Sequence, residues 1–185
     1  MRIIAGTHRS RRFAAPEGRD TRPTLDKVRE AVFSSLGGFF DGGAVLDLYA
    51  GSGAVGFEAL SRGMEQAVFV DSSRKASLVI RQNTELLGFE ARSRILAMRA
   101  DKAVRLLSEE GTAFDLVYLD PPYRLQENVA VLNALCGNGL LKEDAAVVVE
   151  SLKEETYPET VAALRRTKEA VYGITRITYY RNRNE

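Results

Sequence analysis

Between residues 44 and 63 a strand-like run, a glycine-rich turn and a helix-like run follow one another directly, and no other stretch restricts the fold as tightly. Ala44-Val45-Leu46-Asp47-Leu48 reads as a buried strand, Gly51-Ser52-Gly53-Ala54-Val55-Gly56 spells G-x-G-x-x-G, and a helix then ends near Arg62-Gly63. The glycines have a physical reason at this spacing. Without a Cβ the backbone turns sharply, lies against a ligand and lets the next helix approach the strand.

The rest of the chain repeats the pattern. Ala67 to Asp71, Arg94 to Met98 and Asp115 to Leu119 are predicted strands, with Val147-Val148-Val149 a further β-branched run. Helices are predicted from a Ser73 cap to Leu87-Gly88, near Lys102 to Leu107, from about Glu127 to Cys136, and near Glu159 to Arg166. Residues 170–180 read as two strands joined at Gly173. Upstream, Leu25, Val28, Val32 and Leu36 recur at helical spacing after Thr24, a candidate N-cap, and Gly37-Gly38 stops that helix. Strands alternating with helices predict an α/β fold: a Rossmann-like, mostly parallel sheet with helices on both faces. Residues 1–15 predict a short β-hairpin with an arginine-rich tip, so the expected division is a basic arm at 1–23 and one domain at 24–185.

Composition narrows the classes. A chain of 185 residues suits a single core. The one cysteine, Cys136, excludes an internal disulfide and a cysteine-based metal site, and it is expected in the core. No apolar run reaches the ~20 residues of a membrane span, and the N-terminus lacks the apolar core of a secretory signal, so a cytoplasmic protein is expected. The net charge of +1 hides an asymmetry: Arg2, Arg9, Arg11, Arg12, Arg19 and Arg22 crowd the first 23 residues against Glu17 and Asp20. Such an arm suits a phosphate-bearing partner, and it equally suits a solvated surface.

Three acids follow successive predicted strands or end them. Asp71 lies about 20 residues beyond Gly51, where a carboxylate accepts ribose hydroxyls. Two ligands compete for the glycine loop, a nicotinamide dinucleotide and S-adenosylmethionine. Asp47, expected at the mouth of the site, favours the second: it repels a pyrophosphate and attracts the ammonium of a methionine moiety. Asp101 is placed to accept from an adenine amino group, and doubles as a helix cap. Tyr49, Ala50, Gly51, Ser52, Gly53 and Gly56 complete the expected cofactor loop. Ligands in open α/β sheets lie beyond the carboxyl ends of the strands.

A second motif, Asp120-Pro121-Pro122-Tyr123, follows the fourth predicted strand. An exocyclic amine on a nucleobase is a poor nucleophile because its lone pair is delocalised into the ring. A site helps by accepting both N–H hydrogens, here on the Asp120 carboxylate and the Pro121 carbonyl, which aims the lone pair at the methyl donor. Proline stiffness preorganises the acceptors, and Tyr123 offers a face for an extruded base. The two loops are expected to face each other across the C-terminal edge of one sheet.

With these residues in view the chain resembles the bacterial small-subunit ribosomal-RNA guanine-N2 methyltransferases of the RsmD type, within the class I S-adenosylmethionine-dependent fold. The resemblance rests on Arg2-Ile3-Ile4-Ala5-Gly6, Arg22-Pro23-Thr24 with Val28-Arg29-Glu30, the run from Asp47 to Gly63, the run from Phe114 to Tyr123, and Tyr172-Gly173-Ile174-Thr175. Ser10 departs from it, standing where a glycine is expected. The resemblance implies a seven-stranded sheet with one antiparallel strand, S-adenosylmethionine yielding S-adenosylhomocysteine, no metal, and a guanine of 16S rRNA or of an assembling small subunit as acceptor. A monomer is expected.

Arg9, Arg11, Arg12 and Arg22 are then expected to hold RNA phosphates, with Arg22 alternatively closing over the cofactor. His8 is expected exposed in the turn, in RNA contact or without a role. Tyr49 and Phe57 flank the loop, in packing or in ligand contact, and one of Tyr179 and Tyr180 is expected buried. The other readings are amino-methylation of DNA adenine or protein glutamine, a nicotinamide oxidoreductase, and a non-catalytic RNA-binding module. The oxidoreductase leaves Asp120 to Tyr123 without a role, and the binding module leaves the three acids unexplained.

Overall fold

Three parallel strands frame the first of two units, Met1–Arg99, and five strands frame the second, Ala100–Glu185. The computed structural model describes residues 1–15, 23–121 and 125–183.

In the first unit β1 (Ala44–Leu48), β2 (Gln66–Val70) and β3 (Ser93–Leu96) lie in the order β3-β2-β1. The register pairs Leu48 with Val70 and Val70 with Leu96, so the three strands end level with one another. After its first residue each of β1 and β2 is buried throughout, as apolar runs in a sheet covered on both faces are. Helix α1 spans Pro23–Ser35, α2 Ala54–Ser61 and α3 Arg74–Leu87. Helix α3 is as expected: the Ser73 hydroxyl accepts the Ala76 amide at 3.3 Å, and Gly88 closes it at φ 74°. Helix α1 begins at Pro23, which puts Thr24 inside its first turn, and the cap position lies outside the described residues.

The N-terminal hairpin has a single bridge, Arg2 to Arg12, and is anchored by burial of Ile3 and Phe13. It is also tied to Glu58 on α2, which is 0 % exposed. That carboxylate accepts the Ile4 and Ala5 amides at 2.9 and 3.0 Å and the Arg62 Nε at 2.7 Å, with Arg29 at 3.5 Å. Arg29 itself donates to the Arg2 carbonyl and to Asp26. A buried charge is tolerated when its partners are this close. Gly6, at φ 86°, sits where a Cβ would lie 1.8 Å from the Ser61 carbonyl oxygen, so no other residue fits that turn. Phe57 is packing rather than lining: its ring meets Phe13, Phe69 and Phe89 at 5.6, 4.8 and 6.2 Å between centroids.

In the second unit β4 (Phe114–Leu119) runs parallel to β5 (Leu141–Leu152). Strands β8 (Thr175–Asn182), β7 (Leu164–Tyr172) and β6 (Thr160–Val161) continue antiparallel from β5, in that order. Helices α4 (Ala100–Glu109) and α5 (Leu125–Gly137) complete the unit, and Cys136 on α5 is half-buried.

The α/β class is as expected, with two differences. The described strands number eight instead of seven, and more than one is antiparallel. The extra strand replaces the helix expected near Glu159 to Arg166, where Ala162-Ala163-Leu164 favours helix locally. Pairing of Leu164 with Asn182 and of Arg166 with Tyr180 overrides that preference, and Ala162 at φ 50° turns the chain between β6 and β7. Because β8 then lies between β5 and β7, Tyr179 and Tyr180 are both buried, where one was expected.

Candidate active site

The cap position before helix α2 is a glycine, Gly53, which has no side chain to cap it. The missing acceptor comes from the strand before it. Asp47 Oδ2 accepts the Gly56 amide at 3.0 Å, so a carboxylate meets the positive end of α2. Asp47 is 2 % exposed and therefore interior, not at an open mouth as the sequence suggested. Burial pushes its carboxyl from 3.8 up to about 7; the Gly56 amide opposes this, and the charge of Asp71 adds to it.

The loop itself alternates in handedness. Tyr49, Gly51 and Gly53 have φ of 65°, 59° and 80°, all left-handed. Tyr49 is the one side chain of the three, and that conformation costs it about 1–2 kcal/mol. The turn is pinned by the Ala50 amide on the Val70 carbonyl at 2.9 Å and the Gly53 amide on the Ala50 carbonyl at 2.8 Å. Ser52 is buried, its hydroxyl 3.0 Å from the Met1 sulfur and its carbonyl accepting from Asn83. At Gly56 an added Cβ would lie 2.2 Å from the Phe69 ring, so α2 crosses β2 closely only because that position is glycine.

Asp71 follows β2 and holds the loop from the side. One of its oxygens accepts the Gly51 amide at 2.9 Å, the other the Ser73 amide at 2.8 Å. A carboxylate has about four acceptor positions, so two remain for a ligand on this half-buried group.

The second unit carries the other residues. Asp101 is exposed in the first turn of α4, which begins at Ala100; it is not the cap, although its charge suits the helix dipole there. Asp120 is exposed immediately after β4, and Pro121 is half-buried. Tyr123 lies outside the described residues, as does Arg22.

In the arm, Arg9 and Arg12 are exposed. Arg11 is also exposed, but its guanidinium donates to the Leu86 and Leu87 carbonyls at 2.7 and 3.2 Å, capping the C-terminal end of α3. His8 is half-buried, against the expectation, with its ring 4.3 Å from that of Phe89. Burial, then the charge of Arg11, lowers its pKa. Ser10 has φ 68°, which explains why a glycine is the better residue there.

Two carboxylates escaped the sequence reading. Glu58 is the one charged residue of Ala54–Ser61, with Arg62 four residues on, a spacing that signals an ion pair. Glu150 ends the β-branched run of β5, and a charge in an interior strand was the available signal. Its Oε2 accepts the Tyr118 hydroxyl at 2.7 Å, and burial raises its pKa while that bond opposes the rise.

The family described as conserved hypothetical protein 95 matches residues 1–181. Among individual relatives, YlbH of Bacillus subtilis (strain 168), provisionally named an rRNA methyltransferase, is 39% identical over 99% of this chain and 100% of its own. Ribosomal RNA small subunit methyltransferase D of Escherichia coli (strain K12) is 34% identical over 94% of this chain and 85% of its own. The solved structure of yhhF from Escherichia coli, provisionally named a methyltransferase, superposes with a TM-score of 0.84 at 33% identity, covering 100% of this chain and 99% of that one.

Proposed function

The chain belongs to the family of conserved hypothetical protein 95, the RsmD family, and from that premise we propose that it methylates the exocyclic N2 of a guanine in small-subunit ribosomal RNA. S-adenosylmethionine is the donor. The observation that carries the reading is an exposed carboxylate followed by a proline, Asp120-Pro121, directly after a buried parallel strand of this fold.

The donor belongs to the loop after β1. Tyr49, Ala50, Gly51, Ser52 and Gly53 bring backbone against it, Gly56 lets α2 close in, Asp71 spends its two open acceptor positions on the ribose hydroxyls, and Asp101 accepts from the adenine amine. Asp47 balances the methionine ammonium. With a carboxyl pKa of about 7 the group is divided between neutral and ionised when the site is empty, and an arriving cation holds it ionised.

The acceptor belongs to the loop after β4. Asp120 and the Pro121 carbonyl take the two N2 hydrogens, and Tyr123 stacks on the base. The lone pair of N2 attacks the methyl carbon, the carbon–sulfur bond breaks toward sulfur, and S-adenosylhomocysteine leaves. The N2 proton passes to Asp120. Positioning supplies much of the acceleration, because the sulfonium is already activated. Arg9, Arg12 and Arg22 hold phosphates, and Arg11 adds its charge from the end of α3, so binding weakens steeply with salt.

The test is methyl transfer to small-subunit RNA particles lacking the modification. Asp120→Ala is expected to lower the rate by about a hundredfold or more while S-adenosylhomocysteine still binds. Near-wild-type transfer by that variant removes the assignment.

A further inference from the structure

Glu150 is a carboxylate that neither the fold nor the proposed chemistry has used. It lies on β5 one residue past Val149, and Val149 pairs with Leu119, so the register brings the Glu150 backbone alongside Asp120 at about one parallel strand spacing, ~4.8 Å. The Tyr118 hydroxyl donates to Glu150 Oε2 at 2.7 Å. That bond puts Glu150 on the Tyr118 face of the sheet, the face on which alternate residues of the two strands fall. Glu150 is half-buried, and its Oε1 has no hydrogen bond among the described residues. One oxygen is therefore anchored and the other is an open, partly desolvated acceptor at the edge where Asp120 stands.

A carboxylate held rigid beside an amine-binding carboxylate has a particular chemical complement. Guanine presents two adjacent donors on one edge, the N2 amine and N1–H. Adenine and cytosine each place an acceptor nitrogen beside their exocyclic amine, which repels a carboxylate. We propose that Glu150, held by Tyr118, accepts guanine N1–H and so selects guanine over other amine-bearing bases. The inference rests on the guanine-N2 reading and adds to it the residue that fixes the base.

2-Aminopurine separates the two roles, since it keeps the 2-amino group and has an unprotonated N1. The experiment uses small-subunit RNA carrying either guanine or 2-aminopurine at the nucleotide the wild-type protein modifies, and compares kcat/KM for the two. Wild-type protein is expected to prefer guanine by about a hundredfold, because a site built around a donor rejects an analogue that lacks it. Glu150→Gln, whose amide both donates and accepts, is expected to shrink that preference to a few-fold, chiefly through lost guanine activity, with S-adenosylhomocysteine affinity unchanged. Tyr118→Phe frees Glu150 without removing it and is expected to cost about tenfold in preference; it reads the same role if Glu150→Gln fails to fold. Equal use of both bases by wild type, or an undiminished preference in both variants, overturns the role of Glu150 while leaving the guanine-N2 reading standing. Absence of any wild-type transfer to guanine overturns both.

Discussion

Replacing Asp47 by asparagine is expected to stabilise the empty protein and weaken its cofactor binding, and the first effect follows from the structure in numbers. The carboxyl is 2 % exposed and its pKa rises from 3.8 to about 7. A shift of about three units corresponds to about 4 kcal/mol of extra cost for the charged form in the folded state. Linkage gives the sign. The folded pKa lies above the unfolded one, so the contribution of Asp47 is fully present below about pH 4 and is lost as pH rises through about 7. Asparagine is neutral at every pH and keeps an oxygen for the Gly56 amide. Urea unfolding of ligand-free wild type and Asp47→Asn at about pH 5, 6, 7 and 8 measures the difference directly. Asp47→Asn is expected to gain on wild type as pH rises, by as much as about 4 kcal/mol at pH 8. A difference that stays flat from pH 5 to 8, or a wild type more stable than Asp47→Asn at pH 8, refutes the reasoning.

Cofactor binding to the wild type should release protons below about pH 7, because a bound ammonium favours ionised Asp47; calorimetry in buffers of different ionisation enthalpy reads this, and Asp47→Asn should abolish it. Glu58→Ala leaves Arg29 and Arg62 buried without their shared carboxylate and should cost about 3–5 kcal/mol by chemical denaturation, with loss of protection at the Ile4 and Ala5 amides in hydrogen exchange. Ser10→Gly relieves a left-handed serine at an exposed turn and should raise stability by about 0.5–1 kcal/mol, seen as a small increase in Tm. Gly56→Ala drives a methyl group toward the Phe69 ring and should cost about 1–3 kcal/mol together with weaker S-adenosylhomocysteine binding by titration.

The parallel strands were legible because strands covered on both faces read as near-continuous apolar runs: Ala67 to Val70 is unbroken, and Val45 to Leu48 is interrupted only by Asp47. The glycine loop was legible as a tight turn between a strand and a helix, and two of its glycines proved to have separate reasons: left-handed backbone at Gly53 and contact with Phe69 at Gly56. The antiparallel end was legible only in part: residues 170–180 read as two strands joined at Gly173, as β7 and β8 are, but the start of β7 at Leu164 and the short β6 did not show. Strand β7 carries Arg165, Arg166, Thr167, Lys168 and Glu169, a polar series whose strand state depends on pairing with β8 and on nothing local. The backbone ties to Glu58 were hidden for the same reason. Nothing near Glu58 in sequence announces that the Ile4 and Ala5 amides, more than 50 residues away, will complete it. Asp47 and His8 show the limit of residue type as a guide: a carboxylate expected at a mouth and a histidine expected in solvent are both taken inward by contacts that only the folded chain provides.

The most direct measurement of the whole account is where a transferred methyl group ends up. Small-subunit RNA particles lacking the modification, incubated with this protein and methyl-labelled S-adenosylmethionine, are digested to nucleosides and separated by mass spectrometry. The account predicts label in N2-methylguanosine. Label confined to another nucleoside or to protein, or no transfer to any such particle, contradicts it.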